Sequence, residues 1–173
     1  MVTTNDATEI IGLFEKEGIE IFLDGGWGVD ALLGYESRNH NDIDIFIEAV
    51  NENKALEILD QNCYHEKRMD YTTASHSVWQ NNCGCVIDLH LFSYDSERNI
   101  VFEGELYPAD VFSGSGTIGG CKVGCIPPAY QVQFHLGYER DENDIKDVLL
   151  LCNAFGLEIP QEILDDSQRD NIV

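Results

Sequence analysis

The sequence predicts a mixed helix-and-strand chain, α/β or α+β, from three features. Strand-like and helix-like runs alternate along its 173 residues. Residues 42–48 read D-I-D-I-F-I-E, an alternation that puts Ile43, Ile45 and Ile47 on one face and Asp42 and Asp44 on the other. The stretches 73–80 and 85–92 flank Asn81-Asn82-Cys83-Gly84, which reads as the turn between two antiparallel strands. This length fits one domain, or one domain with a small helical appendage, and buries a core without disulfides.

Taken in order, residues 1–5 read as loose. Asp6 caps a first helix over 7–17, with Ile10, Ile11 and Phe14 on one face and Gly18 at its end. Residues 19–23 form a short apolar strand. Asp24-Gly25-Gly26-Trp27-Gly28 reads as a turn into a helix that carries Val29, Ala31, Leu32 and Leu33 and stops at Gly34. Trp27 is expected as a core anchor. A polar connection with Arg38 and His40 leads to the alternating strand, then to a helix over 53–59 and a short strand over 64–68. Residues 93–126 are the least regular, with short strands at 100–102 and 121–125. Gly114-Ser115-Gly116 and Gly119-Gly120 read as ordinary loops, since no Walker lysine follows them. Pro127 and Pro128 open a helix over 129–137 in which Gln133 and His135 are polar candidates for burial. Residues 141–155 form a longer helix with its stripe in Ile145, Val148, Leu149 and Cys152. Pro160 opens a last one, after which the tail frays. The division is a core over 1–126 and a helical segment over 127–173, packed as a single unit.

The formal charge is −22, from 32 acidic and 10 basic residues. That excludes nonspecific nucleic-acid binding, which needs a basic footprint, and an anionic membrane surface. A polyphosphate site here must rely on metal, backbone N–H groups and a few chosen cations. The acidic surface suits a cationic small molecule; solubility or a salty habitat explains it equally well. No segment reads as a signal peptide or membrane span, so the six cysteines are expected as reduced thiols in a cytoplasm. Cys83 and Cys85 with Cys121 and Cys125 lack the spacing of a zinc knuckle.

The chemistry concentrates in three aspartates. Asp42 and Asp44 share a strand face, and Asp88 sits inside the apolar run C-V-I-D-L-H-L-F with His90 two residues on. Like charges this close need a cation or a proton between them, and a buried aspartate needs a partner. The bland alternatives are solvated aspartates on an edge strand and an Asp88 satisfied by a local hydrogen bond. Should the strands be neighbours, the three carboxylates suit magnesium, two ions of which would bridge Asp42 and Asp44 and fix a phosphate. Asp88 would orient an incoming hydroxyl or accept its proton. The Gly25–Gly26 turn would offer N–H donors, and Arg38, His40 and Lys146 are the candidate cations.

The arrangement G-G-W-G-V-D, then R-N-H-N-D-I-D-I, then V-I-D-L-H resembles the small antibiotic nucleotidyltransferases. Lincosamide adenylyltransferases of the short type are most similar, aminoglycoside 2''-nucleotidyltransferases next. The likeness extends to IPPAYQVQFHLGY and D-E-N-D-I-K-D and covers most of residues 8–155. Gly25-Gly26 stands where the wider superfamily usually shows Gly-Ser. The resemblance implies an α+β fold of the polymerase-beta-like nucleotidyltransferase type, a mixed sheet with flanking helices. It implies metal ligation by Asp42 and Asp44, with metal binding or base duty for Asp88. The implied reaction moves AMP from MgATP to a drug hydroxyl and releases pyrophosphate. C-terminal helices, or the partner in a homodimer, would complete the acceptor pocket. On position alone, that makes Tyr138, Glu139 and Asp144 acceptor contacts. The alternatives are an aminoglycoside or other hydroxylated acceptor, or a nucleotide- and metal-binding module without turnover.

Overall fold

Helix α1 (Thr4–Lys16) starts earlier than the sequence pattern indicates, because Thr3 is its cap. Asp6 answers from the third helical position, completing a capping box in which each side chain satisfies the other's backbone N–H. The computed structural model describes residues 1–169; the end of the tail, read above as frayed, lies outside the described residues. Strand β1 (Phe22–Asp24) is shorter than the apolar run suggests. The glycine pair is not a separate turn: α2 (Gly25–Leu33) begins on it directly, with Asp24 as N-cap and Gly34, in the left-handed region, as its end.

Strand β2 (Ile43–Glu48) follows, then α3 (Glu52–Gln61), β3 (Tyr64–Glu66), β4 (His76–Asn81) and β5 (Val86–Tyr94). The irregular stretch holds more strand than its composition shows: β6 (Ile100–Phe102), β7 (Glu105–Tyr107), β8 (Gly114–Ile118) and β9 (Cys121–Cys125). Gly114-Ser115-Gly116 is therefore strand, not loop. At Gly116 the strand runs against the backbone of α2 at Ala31, where any side chain would overlap. Helix α4 (Pro128–Phe134) stops short of Gly137, then come α5 (Glu142–Phe155) and α6 (Gln161–Arg169).

The sheet runs β3-β4-β5-β2-β1-β9-β8, with β6 and β7 extending from β5. It is mixed: β2 lies parallel to β5 and β1 parallel to β9, while β1–β2 and β4–β5 are antiparallel. One face is apolar. Leu23, Ile43, Ile45, Ile47, Ile87 and Leu89 are all buried there, packed with α1 and α3 residues such as Phe14 and Leu59. Helices α4 to α6 build a second apolar cluster with Val29 of α2, through Val132, Ile145, Val148, Leu151 and Ile163. The opposite sheet face passes from acidic to aromatic, and it carries the site. Among the described residues no helix is long and apolar enough to cross a membrane.

Candidate active site

Register decides which carboxylates meet. Asp44 of β2 pairs with Asp24 of β1 on one side and with Asp88 of β5 on the other. Side chains at paired positions point to the same face, so the three project together. Asp42 lies just before β2 on that face. Burial pushes its carboxyl up to about 6, helped by the charges of Asp44 and Asp88, with Arg38 pulling the other way. Asp24 is raised for the same reasons, burial first and then Asp44, although the Gly25 N–H donates to it at 2.8 Å.

Two histidines border the carboxylates. His90 Nε2 lies 3.4 Å from Asp44 Oδ1, and its ring stacks on Phe46 with centroids 4.6 Å apart. Burial alone would lower the His90 pKa, but the bond to Asp44 and the neighbouring negative charges outweigh it and raise it. His76 Nε2 lies 3.7 Å from Asp88 Oδ1, beyond hydrogen-bond reach. Among the described residues, Asp88 Oδ1 is thus a buried oxygen without a hydrogen-bond partner.

The start of α2 forms the second wall. A side chain at Gly25 would overlap the Asp44 carboxylate, and Gly25 adopts φ +55°. One at Gly26 would overlap Arg38 and His40. The three sequence-predicted residues Gly25, Gly26 and Arg38 line one cavity with Asp42 and Asp44. His40 does not: it is 2% exposed, with Nε2 at 2.6 Å from Asp30 Oδ2 and its ring 4.5 Å from that of Trp27. Ser37 also donates to Asp30, from its amide at 3.1 Å and its hydroxyl at 2.5 Å. Lys146 is exposed on α5 and pairs with Glu142 at 3.2 Å, away from the cavity lining.

The cavity has a volume of about 880 Å³ and continues from the aspartates to an aromatic end. Phe46, Phe102, Tyr107, Phe112 and Phe134 line that end. Tyr138 and Asp144 line the cavity as well, within reach of the charges of Asp24 and Asp44, and the Tyr138 hydroxyl donates to Asp144 Oδ1 at 2.7 Å. Glu139 is exposed and outside the lining, and Asp88, beside Asp44 on the neighbouring strand, is not among the lining residues. Of the polar pair expected in α4, Gln133 is exposed and His135 is buried.

Three acidic residues went unnoticed in sequence: Asp24, Asp30 and Asp147. Each had a signal. Asp24 ends a strand just before the glycine pair, Asp30 interrupts an apolar helix, and Asp147 sits beside Val148 in a buried stripe. A carboxylate in such a place must be paired or functional.

The donor set fits a hard divalent cation. Oxygen ligands crowd together, Asp42 holds its proton against its own acidity, and Asp88 has a free buried oxygen. Among the described residues no three acidic, imidazole or thiol groups already stand in coordinating geometry.

A family model described as aminoglycoside-2''-adenylyltransferase matches residues 6–151. A lincosamide resistance protein of Staphylococcus haemolyticus is 31% identical over 152 residues, 85% of this chain and 92% of that protein. The crystal structure of the lincosamide antibiotic adenylyltransferase LnuA with lincomycin bound is similar at TM-score 0.77 and 30% identity, over 87% of this chain and 96% of that one. ANT(2'')-Ia in complex with adenylyl-2''-tobramycin shares the fold at TM-score 0.68 and 17% identity, over 98% of both chains.

Proposed function

The chain belongs to the aminoglycoside-2''-adenylyltransferase family and has the α+β, polymerase-beta-like nucleotidyltransferase fold; from that premise we propose that it transfers AMP from MgATP to a hydroxyl of a lincosamide antibiotic and releases pyrophosphate. One observation carries the reading: Asp24 and Asp44 from neighbouring strands, with Asp42, meet at one end of a cavity whose other end is aromatic. The likeness to LnuA and to the S. haemolyticus protein supports the lincosamide acceptor.

Asp42, Asp44 and Asp88 would hold magnesium, two ions in the full complex. When bound, the metal neutralises the phosphate charge and polarises the reacting oxygens. Gly26 at the head of α2 and Arg38 beside it would bind the triphosphate. His40 would support Gly26 from behind without touching ligand, and Lys146 lies outside the cavity lining. Asp88, in register with Asp44, would either complete the metal site or take the acceptor proton. Phe102, Tyr107 and Phe134 would pack the apolar part of the drug, with Tyr138 and Asp144 facing its polar groups. Residues 1–126 and 127–173 would act as one unit, because α4 and α5 close the acceptor end.

A second reading has a specific observation behind it. Glu103, Asp141 and Asp144 also line the cavity, and such acids suit an aminoglycoside amine. Mass spectrometry after incubation with ATP and magnesium separates the two. A gain of one adenylate on lincomycin is expected. Adenylation of tobramycin alone would replace the first reading with the second, and adenylation of neither would remove both.

A further inference from the structure

The Arg38 guanidinium lies against Gly26 and joins the cavity wall, yet only a quarter of the side chain is exposed. What holds it there is Asp147 of α5, 1% exposed and far away in sequence. Arg38 Nε donates to both Asp147 oxygens at 3.1 and 3.2 Å, and Nη2 donates to Oδ2 at 2.7 Å. Nη1 donates to the Asn39 carbonyl at 3.2 Å. Arginine has five N–H groups in a rigid plane. Among the described residues these contacts take three of them and leave one on each terminal nitrogen. The Nε–Nη2 edge of the fork is fixed on Asp147, and one donor remains on each of Nη1 and Nη2.

A buried carboxylate paired with a partly exposed arginine is a costly way to hold two elements together, since an apolar pair would serve a purely structural need as well. The charge has a use if the guanidinium must be presented in one orientation. We propose that Asp147 is a positioning residue for triphosphate binding: it aligns Arg38 so that the two remaining N–H groups face the β- and γ-phosphates beside Gly26. Helix α5 then holds Arg38 through Asp147 and also lines the cavity through Asp144. This rests on the adenylyltransferase reading given above.

Equilibrium binding of MgATP and of AMP to the whole chain, by calorimetry or by displacement of a fluorescent nucleotide, tests it without an acceptor. Asp147→Asn keeps the shape and removes the charge. It is expected to weaken MgATP about tenfold or more, the worth of a charge-assisted phosphate contact, and to leave AMP binding unchanged. Arg38→Gln should do the same, and Asp147→Asn added to Arg38→Gln should cause no further loss. Equal weakening of AMP and MgATP, or an undiminished Asp147→Asn effect in the Arg38→Gln background, would show a structural strut and overturn the proposal. Should Asp147→Asn fail to fold, Asp147→Glu takes its place: a lengthened carboxylate that misplaces the fork must still weaken MgATP selectively. A parent chain that binds no MgATP overturns the underlying reading and this inference together. A parent that binds it and variants that match the parent overturn this inference alone.

Discussion

At the scale of single residues, the site is a set of charges kept close at a cost. Asp42 keeps its proton to about pH 6, so at neutral pH its ionised form opposes folding. Asp42→Asn should therefore abolish turnover and yet raise the melting temperature of the metal-free chain. Much of the side chain still meets solvent, so the gain is of order 1 kcal/mol or less. Asp44→Asn should also abolish turnover, with far-UV circular dichroism unchanged. Near-parental rates for either variant at saturating magnesium would end the metal assignment. Gly26 permits a sharper experiment, because a single methyl there would overlap both Arg38 and His40. Gly26→Ala should lose about 1–3 kcal/mol of stability by denaturant unfolding, the usual range for overpacking. It should also bind MgATP more weakly, as Arg38 is displaced. An unperturbed Gly26→Ala would show that the two side chains move aside freely.

At the scale of elements, the parts that follow local rules were legible and the parts that depend on neighbours were not. Strand β2 could be read from alternation alone, since Ile43, Ile45 and Ile47 have one face to bury. The β4–β5 hairpin could be read from its turn. Strand β8 was hidden because Gly114 and Gly116 carry no strand propensity; its backbone is held by β9 on one side and shaped by α2 on the other. For the site, sequence singled out Asp42, Asp44 and Gly25–Gly26, where spacing on one element is enough, and all four line the same cavity. His40, read in sequence as a candidate cation, lies buried away from the cavity lining, because the partners that bury it, Asp30 and Trp27, come from a different element. Sequence overlooked Asp147 for the same reason, as its partner Arg38 lies on a distant connection. Helix α5 offers an element-level prediction. Asp141 caps it, accepting from the amides of Asn143 and Asp144, and Asp144 returns a bond to the cap. Asp141→Ala should cost about 1 kcal/mol. The loosened first turn carries the Tyr138–Asp144 pair, so the acceptor KM should rise while MgATP binding holds. A parallel loss of both would mean that the whole helix shifts, not its first turn.

At the scale of the molecule, a formal charge of −22 makes folding a contest between burial and self-repulsion, most intense where the aspartates converge. The pH dependence follows from how protons distribute between the folded and unfolded chains. Below the ordinary value of 3.8, Asp42 is protonated in both, and it contributes nothing. Between about 4 and about 6 the folded chain keeps a proton that the unfolded chain has released, so stability falls as pH rises, and the loss is complete above the folded value. Asp24, raised by burial and by Asp44, acts in the same direction. His90 extends the trend upward: its raised pKa stabilises the fold below its unfolded value and that benefit is lost as pH rises through the folded one. The carboxylates with lowered values, Asp6 and Asp95, gain their effect at more acid pH and leave this window alone. In chelator, the melting temperature should therefore decline steadily from about pH 4.5 to about pH 7, the interval set by these shifts. Magnesium at neutral pH should reverse the decline, because a cation binding only the folded state stabilises it by mass action. The reversal should vanish in Asp42→Asn, whose metal-free melting temperature should also be flatter across the same interval. A parent chain whose melting temperature in chelator rises from pH 4.5 to 7 would mean that the carboxylates are not crowded in solution, and the case for a cation between them would go with it.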